Sequence, residues 1–220
     1  MPNPDHPYFD LINVCHQHGA TLVVVSKTRT EKEIKSIYEM GQRIFGENRA
    51  HELIIKASLL PSDVEWHLIG HLQTNKVKSI IPYVTCIQSL DSWKLWEKLQ
   101  EEAGEMNKNI RCLLQIKVAI EDTKYGWAFE ELEKTLKTGV YKGLSNITIS
   151  GIMGMASLTN DKDQIRKEMK QLKGYFDYLK LHYFNESDQF KILSMGMSGD
   201  YTIALEEGST MIRIGSLLFD

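Results

Sequence analysis

Eight short β-rich runs, separated by segments of helical spacing, constrain this chain more than any other feature. The runs fall at residues 21–26, 43–46, 65–70, 86–90, 110–119, 147–155, 191–195 and 211–219. Between them, apolar residues recur every three or four positions over 31–40, 51–60, 93–106, 129–141 and 161–183. Shorter helical stretches fall at 74–81 and 201–207, and a leading helix at 8–18. Strand followed by helix, repeated to give eight strands, has two solutions: a closed (β/α)₈ TIM barrel or an open doubly wound sheet. The count favours the barrel, as a single domain over 1–220. Asp91 or Ser92 is placed to cap the helix carrying Trp93 and Trp96, and Asn160 or Asp161 to start the long helix after the sixth strand. Gly19, Gly41, Gly143 and Gly208 stand where helices should stop, and 185–189 reads as a surface loop.

Composition excludes several classes. A net charge of −3 gives no broad electrostatic reason to expect nucleic acid or an anionic membrane as partner. Three widely spaced cysteines, Cys15, Cys86 and Cys112, do not form a disulfide framework or a zinc motif, and reduced, partly buried thiols are expected. The N-terminus lacks a basic stretch followed by an apolar one, and no apolar run approaches the roughly 20 residues that span a bilayer. A cytoplasmic protein is the expectation.

In a parallel barrel, chemistry collects at the C-terminal ends of the strands. The first strand ends at Lys27, with Val23, Val25 and Lys27 on one face. That puts an amine at the barrel mouth on an apolar pedestal, where desolvation would favour the neutral, nucleophilic form that makes a Schiff base; on this segment alone a solvated strand-end lysine is the plainer reading. Gly46 at the second strand end allows close backbone approach, and Asn48 carries both a donor and an acceptor; Glu47 and Asn48 serve alternatively as helix caps. His67 and His71 would lie ~13 Å apart on a strand, too far for one metal ion, so no metal is expected and His71 is a supporting hydrogen-bonding candidate. Lys124 is a second cation near the mouth or a partner of Glu121 or Asp122. Met153 and Met155 are soft pocket walls or core.

The last two strands say most. Met195, Gly196, Ser198 and Gly199 follow the seventh; Gly215 and Ser216 follow the eighth. Neither cluster matches a nucleotide-binding loop, but barrels often hold phosphate in these two corners. Simple turns are the alternative. Arg213, two residues before Gly215, points inward if Gly215 lies over the phosphate, unless it pairs with a carboxylate of the barrel layers.

The segments Val-Ser-Lys-Thr at 25–28, Phe-Gly-Glu-Asn at 45–48, Trp-His-Leu-Ile-Gly-His-Leu-Gln-Thr-Asn-Lys at 66–76, Leu-Ser-Met-Gly-Met-Ser at 193–198 and Gly-Ser-Thr-Met-Ile-Arg-Ile-Gly at 208–215 span nearly the whole chain. In that order they resemble the pyridoxal-phosphate homeostasis proteins and, more distantly, the N-terminal barrel of alanine racemase, a fold-type-III-like cofactor barrel. The resemblance implies pyridoxal 5'-phosphate held as a Schiff base on Lys27. It also implies that Ser198, Gly215 and Ser216 hold the phosphate, that Arg213 faces the pyridine nitrogen, and that Asn48 lines the pocket. An arginine there would keep the nitrogen unprotonated and the ring a poor electron sink. Departures are Arg49 and Ala50 after the Asn, Tyr125 where the family has Phe, and Asp220 where it has Gly.

The implied function is vitamin B6 homeostasis by a cofactor carrier without firm catalysis, a monomer whose other partners are apo pyridoxal-phosphate enzymes. The chain ends just after the eighth strand, so a second, substrate-covering domain is not expected. A weak amino-acid racemase and a phosphosugar barrel are the alternatives.

Overall fold

The computed structural model describes residues 5–119 and 125–219. Eight strands, β1 (Thr21–Val25), β2 (Ile44–Glu47), β3 (Glu65–Leu68), β4 (Cys86–Leu90), β5 (Ile110–Gln115), β6 (Ile147–Met153), β7 (Ile192–Ser194) and β8 (Met211–Ile214), close into one barrel in sequence order. Every neighbouring pair is parallel. Closure is made by β8 on β1, with Val23 opposite Arg213 and Val24 opposite Ile214, which removes the open-sheet alternative. Helix α1 (Pro7–Gln17) precedes the barrel. The surrounding helices are α2 (Glu31–Glu39), α3 (Ala50–Leu59), α4 (Val77–Ile80), α5 (Trp93–Glu105), α6 (Phe129–Lys137), α7 (Lys162–His182), α8 (Tyr201–Glu206) and α9 (Ser216–Phe219). None is long and apolar enough to cross a membrane.

Local chemistry explains the element starts. Thr30 and Glu33 form a reciprocal capping box on α2, satisfying two N–H groups that the first turn leaves open. Ser92, rather than Asp91, caps α5, and Asp161 caps α7 by accepting from the N–H groups of Asp163 and Gln164. The core lies between barrel and helices: Leu22, Val24, Phe45, Leu68 and Ile212 pack in one buried cluster with Ile34, Leu53, Leu95 and Leu172. Each such side chain stabilises the fold by roughly 1.5–3 kcal/mol when fully buried. Alternation sends Val23, His67, Gln88, Met153, Ser194 and Arg213 toward the barrel axis instead.

Several boundaries differ from the sequence reading; β1, β2 and β7 shift by a residue at one or both ends, and β3 ends at Leu68, not 70. Strand β5 ends at Gln115, not 119: Ile116 still donates to the Met153 carbonyl of β6, but its bridge partner is Trp127, to whose carbonyl Lys117 donates. Strand β8 ends at Ile214, not 219; Ser216–Phe219 is a helical turn whose apolar composition is indistinguishable from a strand's. Strand β6 ends at Met153, not 155. Helix α6 stops at Lys137, with Gly139 at φ +71 rather than Gly143 providing the left-handed residue. The cysteines are all buried thiols, and burial pushes Cys15 up to about 11 and Cys86 up to about 12.

Strand β6 carries an extra residue: Cys112 pairs with Ile149 but Leu113 pairs with Gly151, which bulges Ser150. Gly151 sits there at φ +147, and a Cβ would stand 1.8 Å from the Ile192 carbonyl oxygen of β7. Gly174, on the exposed face of α7, has nothing within 4 Å of an added Cβ. Gly151→Ala is therefore expected to lose more than ~3 kcal/mol, whereas Gly174→Ala gains up to ~1 kcal/mol. Urea denaturation of the two variants against wild type measures both.

Candidate functional site

Strand β1 ends in a tight turn. The Arg29 N–H donates to the Ser26 carbonyl, Thr28 sits at φ +62, and the Thr28 hydroxyl donates to the Lys27 carbonyl at 2.6 Å. A left-handed threonine is strained by roughly 1–3 kcal/mol, so surrounding contacts must hold it. Behind the turn lies Glu47, fully buried. Its Oε1 accepts from the Ser26 hydroxyl at 2.6 Å and from Lys56 Nζ at 2.7 Å, and Lys56 also donates to the Ser26 carbonyl at 2.8 Å. Glu52 Oε2 receives the Thr28 N–H at 3.3 Å. Lys27 thus projects from a braced corner.

The amine opens onto a cavity of about 400 Å³ at the C-terminal ends of β1, β2, β3, β6, β7 and β8. Its lining contains Lys27, Asn48, Arg213, Ser198, Gly215 and Ser216, so barrel closure brings six of the sequence candidates together. Val25, Ile69, Met155 and Met197 form the apolar walls. Among the described lining residues, Lys27 and Arg213 are the only titratable groups. Larger space, about 520 Å³, lies at the opposite end of β6 against Trp96, Tyr141 and Phe184, away from the strand ends where barrels do chemistry.

Arg213 forms part of the cavity lining while only 4% exposed. Nη1 donates to the Ser194 hydroxyl at 2.6 Å and Nη2 to the Gly154 carbonyl at 3.0 Å. Burial pulls its guanidinium down to about 10, opposed by the charge of Asp200, so it remains a cation at neutral pH. The hydroxyls of Ser198 and Ser216, with the corners at Ser198–Gly199 and Gly215–Ser216, supply hydrogen-bonding groups across the cavity from Asn48. At Gly215 an added Cβ would meet the Val25 carbonyl oxygen at 3.1 Å and Val25 Cβ at 3.3 Å. Two glycine-bearing corners with hydroxyls, a buried cation, a lysine and an apolar slot fit a phosphorylated aromatic aldehyde.

Other candidates lie elsewhere. Met153 does not line the cavity: it is fully buried in the barrel interior with Cys86 and Leu113, and Met155, one layer higher on the same face, takes the wall position. Met195 packs outward into the helix-facing core. Gly196 is buried under α8, where a Cβ would come within 2.6 Å of Ala204 Cβ. His71 Nδ1 lies 2.7 Å from Asp91 Oδ2, and its ring stacks on Tyr125 at 3.9 Å. It borders a neighbouring cavity that shares only Asn48 with the first. Lys124 falls outside the described residues. Lys27 is exposed rather than desolvated, which matches the solvated strand-end alternative and not the desolvated one. Glu47, Lys56 and Ser26 escaped the sequence reading as a brace because their contacts cross between elements.

Burial raises the Glu47 carboxyl against the lowering effects of Lys56 and Ser26. A raised value means that the folded chain binds this proton more tightly than the unfolded one. The resulting stabilisation is full below pH 4.5 and is lost as pH rises through the raised value. Wild type should therefore lose ground against Glu47→Gln as urea titrations move from pH 4.5 toward neutrality. Glu47→Ala leaves the largely buried Lys56 with the Ser26 carbonyl and, as its nearest remaining carboxylate, Glu52 at 3.8 Å, and should cost about 3 kcal/mol at pH 7.

A family model described as alanine racemase, N-terminal domain, matches residues 10–220. A pyridoxal phosphate homeostasis protein of Aquifex aeolicus is 36% identical over 204 residues, covering 92% of this chain and 87% of that protein. The protein of that name from Synechocystis sp. is 37% identical over 203 residues, covering 90% and 89%. Among solved structures, PipY of Synechococcus elongatus without PLP superposes with a TM-score of 0.89 at 33% identity, covering 97% of this chain and 99% of that one. PipY with PLP bound gives 0.85 at 32% identity over the same shares. Alanine racemase of Bartonella henselae, at 17% identity and a TM-score of 0.69 over 94% of this chain and 56% of its own, shares the fold. By barrel and by likeness along its length, this chain belongs to the pyridoxal phosphate homeostasis protein family.

Proposed function

We propose that this protein binds pyridoxal 5'-phosphate in the 400 Å³ cavity, with Lys27 as covalent anchor, and carries the cofactor within vitamin B6 homeostasis. The observation that carries the reading is the meeting of Lys27, Arg213 and the two glycine–serine corners around one apolar slot in a chain of this family. The bound form of PipY supports the choice of ligand. Ser198, Gly199, Gly215 and Ser216 hold the phosphate; Val25, Ile69 and Met155 flank the ring; Asn48 serves a ring oxygen or the lysine; Arg213 serves the ring nitrogen.

Pyridoxal phosphate supplies an aldehyde that condenses with a neutral amine and loses water, a linkage that water reverses. The residues of this chain suit holding better than carbanion chemistry. Arg213 keeps its proton at neutral pH, and a ring nitrogen beside a donor of that kind stays unprotonated, a weaker electron sink. Exposure of Lys27 leaves the anchor open to water. Cytoplasmic residence, a monomeric state and apo pyridoxal-phosphate enzymes as acceptors belong to the same reading.

Loading the chain with pyridoxal phosphate, reducing with borohydride and mapping peptides by mass spectrometry should place the adduct on Lys27. Lys27→Ala should bind no coloured cofactor. An adduct on another lysine, or none, overturns the assignment. With L-alanine in deuterated water, exchange at Cα should stay below one turnover, while mixing with an apo pyridoxal-phosphate enzyme should restore that enzyme's activity. Sustained multiple-turnover exchange would make the protein a racemase-like enzyme instead.

A further inference from the structure

The barrel axis is polar where barrels of this kind are usually filled with branched apolar side chains. Arg213 of β8, Ser194 of β7, Gln88 of β4 and His67 of β3 meet there, none more than 4% exposed. Arg213 Nη1 lies 2.6 Å from Ser194 Oγ, Ser194 Oγ lies 2.7 Å from Gln88 Oε1, and Gln88 Nε2 lies 2.9 Å from His67 Nδ1. Gln88 Nε2 also stands 3.3 Å from Met211 Sδ.

The direction of every bond follows from the first. A guanidinium has no acceptor, so Ser194 must accept from Arg213. Ser194 then spends its own proton on the carbonyl oxygen of Gln88. That turns the amide nitrogen of Gln88 toward His67 and Met211, and both of its protons have a partner. Nδ1 of His67 must be bare, which makes the ring the neutral Nε2–H tautomer. Turning the amide round would face its N–H at a hydroxyl that already accepts from Arg213, and would strand the hydroxyl proton. Burial and the charge of Arg111 push His67 down to about 3, so the imidazole stays neutral across the working range. The series ends there: among the described residues nothing accepts from Nε2.

We propose that Ser194, Gln88 and His67 are positioning residues, a one-way hydrogen-bond relay that locks the Arg213 guanidinium in a single orientation at the cavity wall. That the locked donor meets a pyridine nitrogen rests on the function proposed above; the relay itself does not. Four buried polar groups are a poor way to fill a barrel, since apolar residues of similar volume would serve stability as well or better. Their chain of hydrogen bonds, at the cost of an N–H left over at His67 Nε2, is explained if the orientation of Arg213 is what they secure. With Nη1 and Nη2 each pinned, by Ser194 and Gly154, the group can neither rotate nor withdraw.

The test has one arm without cofactor. In the ¹⁵N-labelled protein, long-range proton–nitrogen spectra of the imidazoles should show His67 as the Nε2–H tautomer. Slow rotation of the Arg213 guanidinium should be visible in wild type and in Ser194→Thr, which keeps the hydroxyl, and should be lost in Ser194→Ala. In the loaded protein, Ser194→Ala should displace the visible absorption band and weaken cofactor retention about tenfold, the worth of one charge-assisted hydrogen bond, while Ser194→Thr restores both. If Ser194→Ala does not fold, Gln88→Met cuts the relay at similar volume and is read in the same way. An Nδ1–H tautomer at His67, or a severed relay that leaves Arg213 rotation and the band unchanged, overturns the proposal. Failure of the wild type to load would sink the cofactor reading alone, since the imidazole and guanidinium spectra still decide the relay.

Discussion

Everything at the mouth of this barrel depends on the pairing of β8 with β1. The two strands lie at opposite ends of the chain, and their register sets Val23 beside Arg213 and Val24 beside Ile214. One residue further on, Val25 stands against Gly215, whose missing side chain keeps that corner open. Lys27 and Ser216 then rise from adjacent strand ends into one cavity. An open sheet would not pair β1 with β8: kept in sequential order it leaves them at separate edges, and doubly wound it puts β1 at its centre. A slip of one residue would turn Arg213 out of the interior toward the helices, since strand side chains alternate.

That closure also seals a permanent cation inside the barrel. A buried charge is tolerated only when it is hydrogen-bonded on several sides. Arg213 has a hydroxyl, a backbone carbonyl and the field of Asp200 to meet this requirement, and the hydroxyl is held in turn by Gln88. The lysine side is built differently. Its corner is braced from below by Glu47 and Lys56, but the amine itself is exposed. The site therefore combines a fixed, desolvated end at Arg213 with a solvent-facing end at Lys27.

The architecture was legible because eight β-rich runs with helical spacing between them admit few folds, and all eight strands and the major helices occur where periodicity places them. Boundaries failed where composition is ambiguous: Leu217, Leu218 and Phe219 are as apolar in a helical turn as in a strand. Alternation names the face a residue occupies but not its height along the axis, which closure and the Ser150 bulge decide together; hence Met155, and not Met153, reaches the cavity. Gln88, in the run Cys-Ile-Gln-Ser-Leu, went unnoticed because its partners come from β3, β7 and β8, and no reading of one segment can supply them. Glu47 looked like a capping residue because it sits just before α3, whereas the fold turns it under β1 to carry Ser26 and Lys56.

The contrast between the two ends bears on the proposed carrier role. A ligand held by a covalent bond alone would leave only as fast as water reaches that bond, and one held by phosphate and ring contacts alone would exchange with every rise and fall in its concentration. Here the residues proposed to hold the phosphate sit on the corners after β7 and β8, while the proposed anchor, Lys27, stands on a turn strained at Thr28 and open to solvent. Contacts there keep a released aldehyde close enough to be recaptured; an accessible anchor keeps the linkage reversible. Enclosing the lysine under a lid would exclude water and favour chemistry on the bound ligand; leaving it exposed favours repeated loading and release.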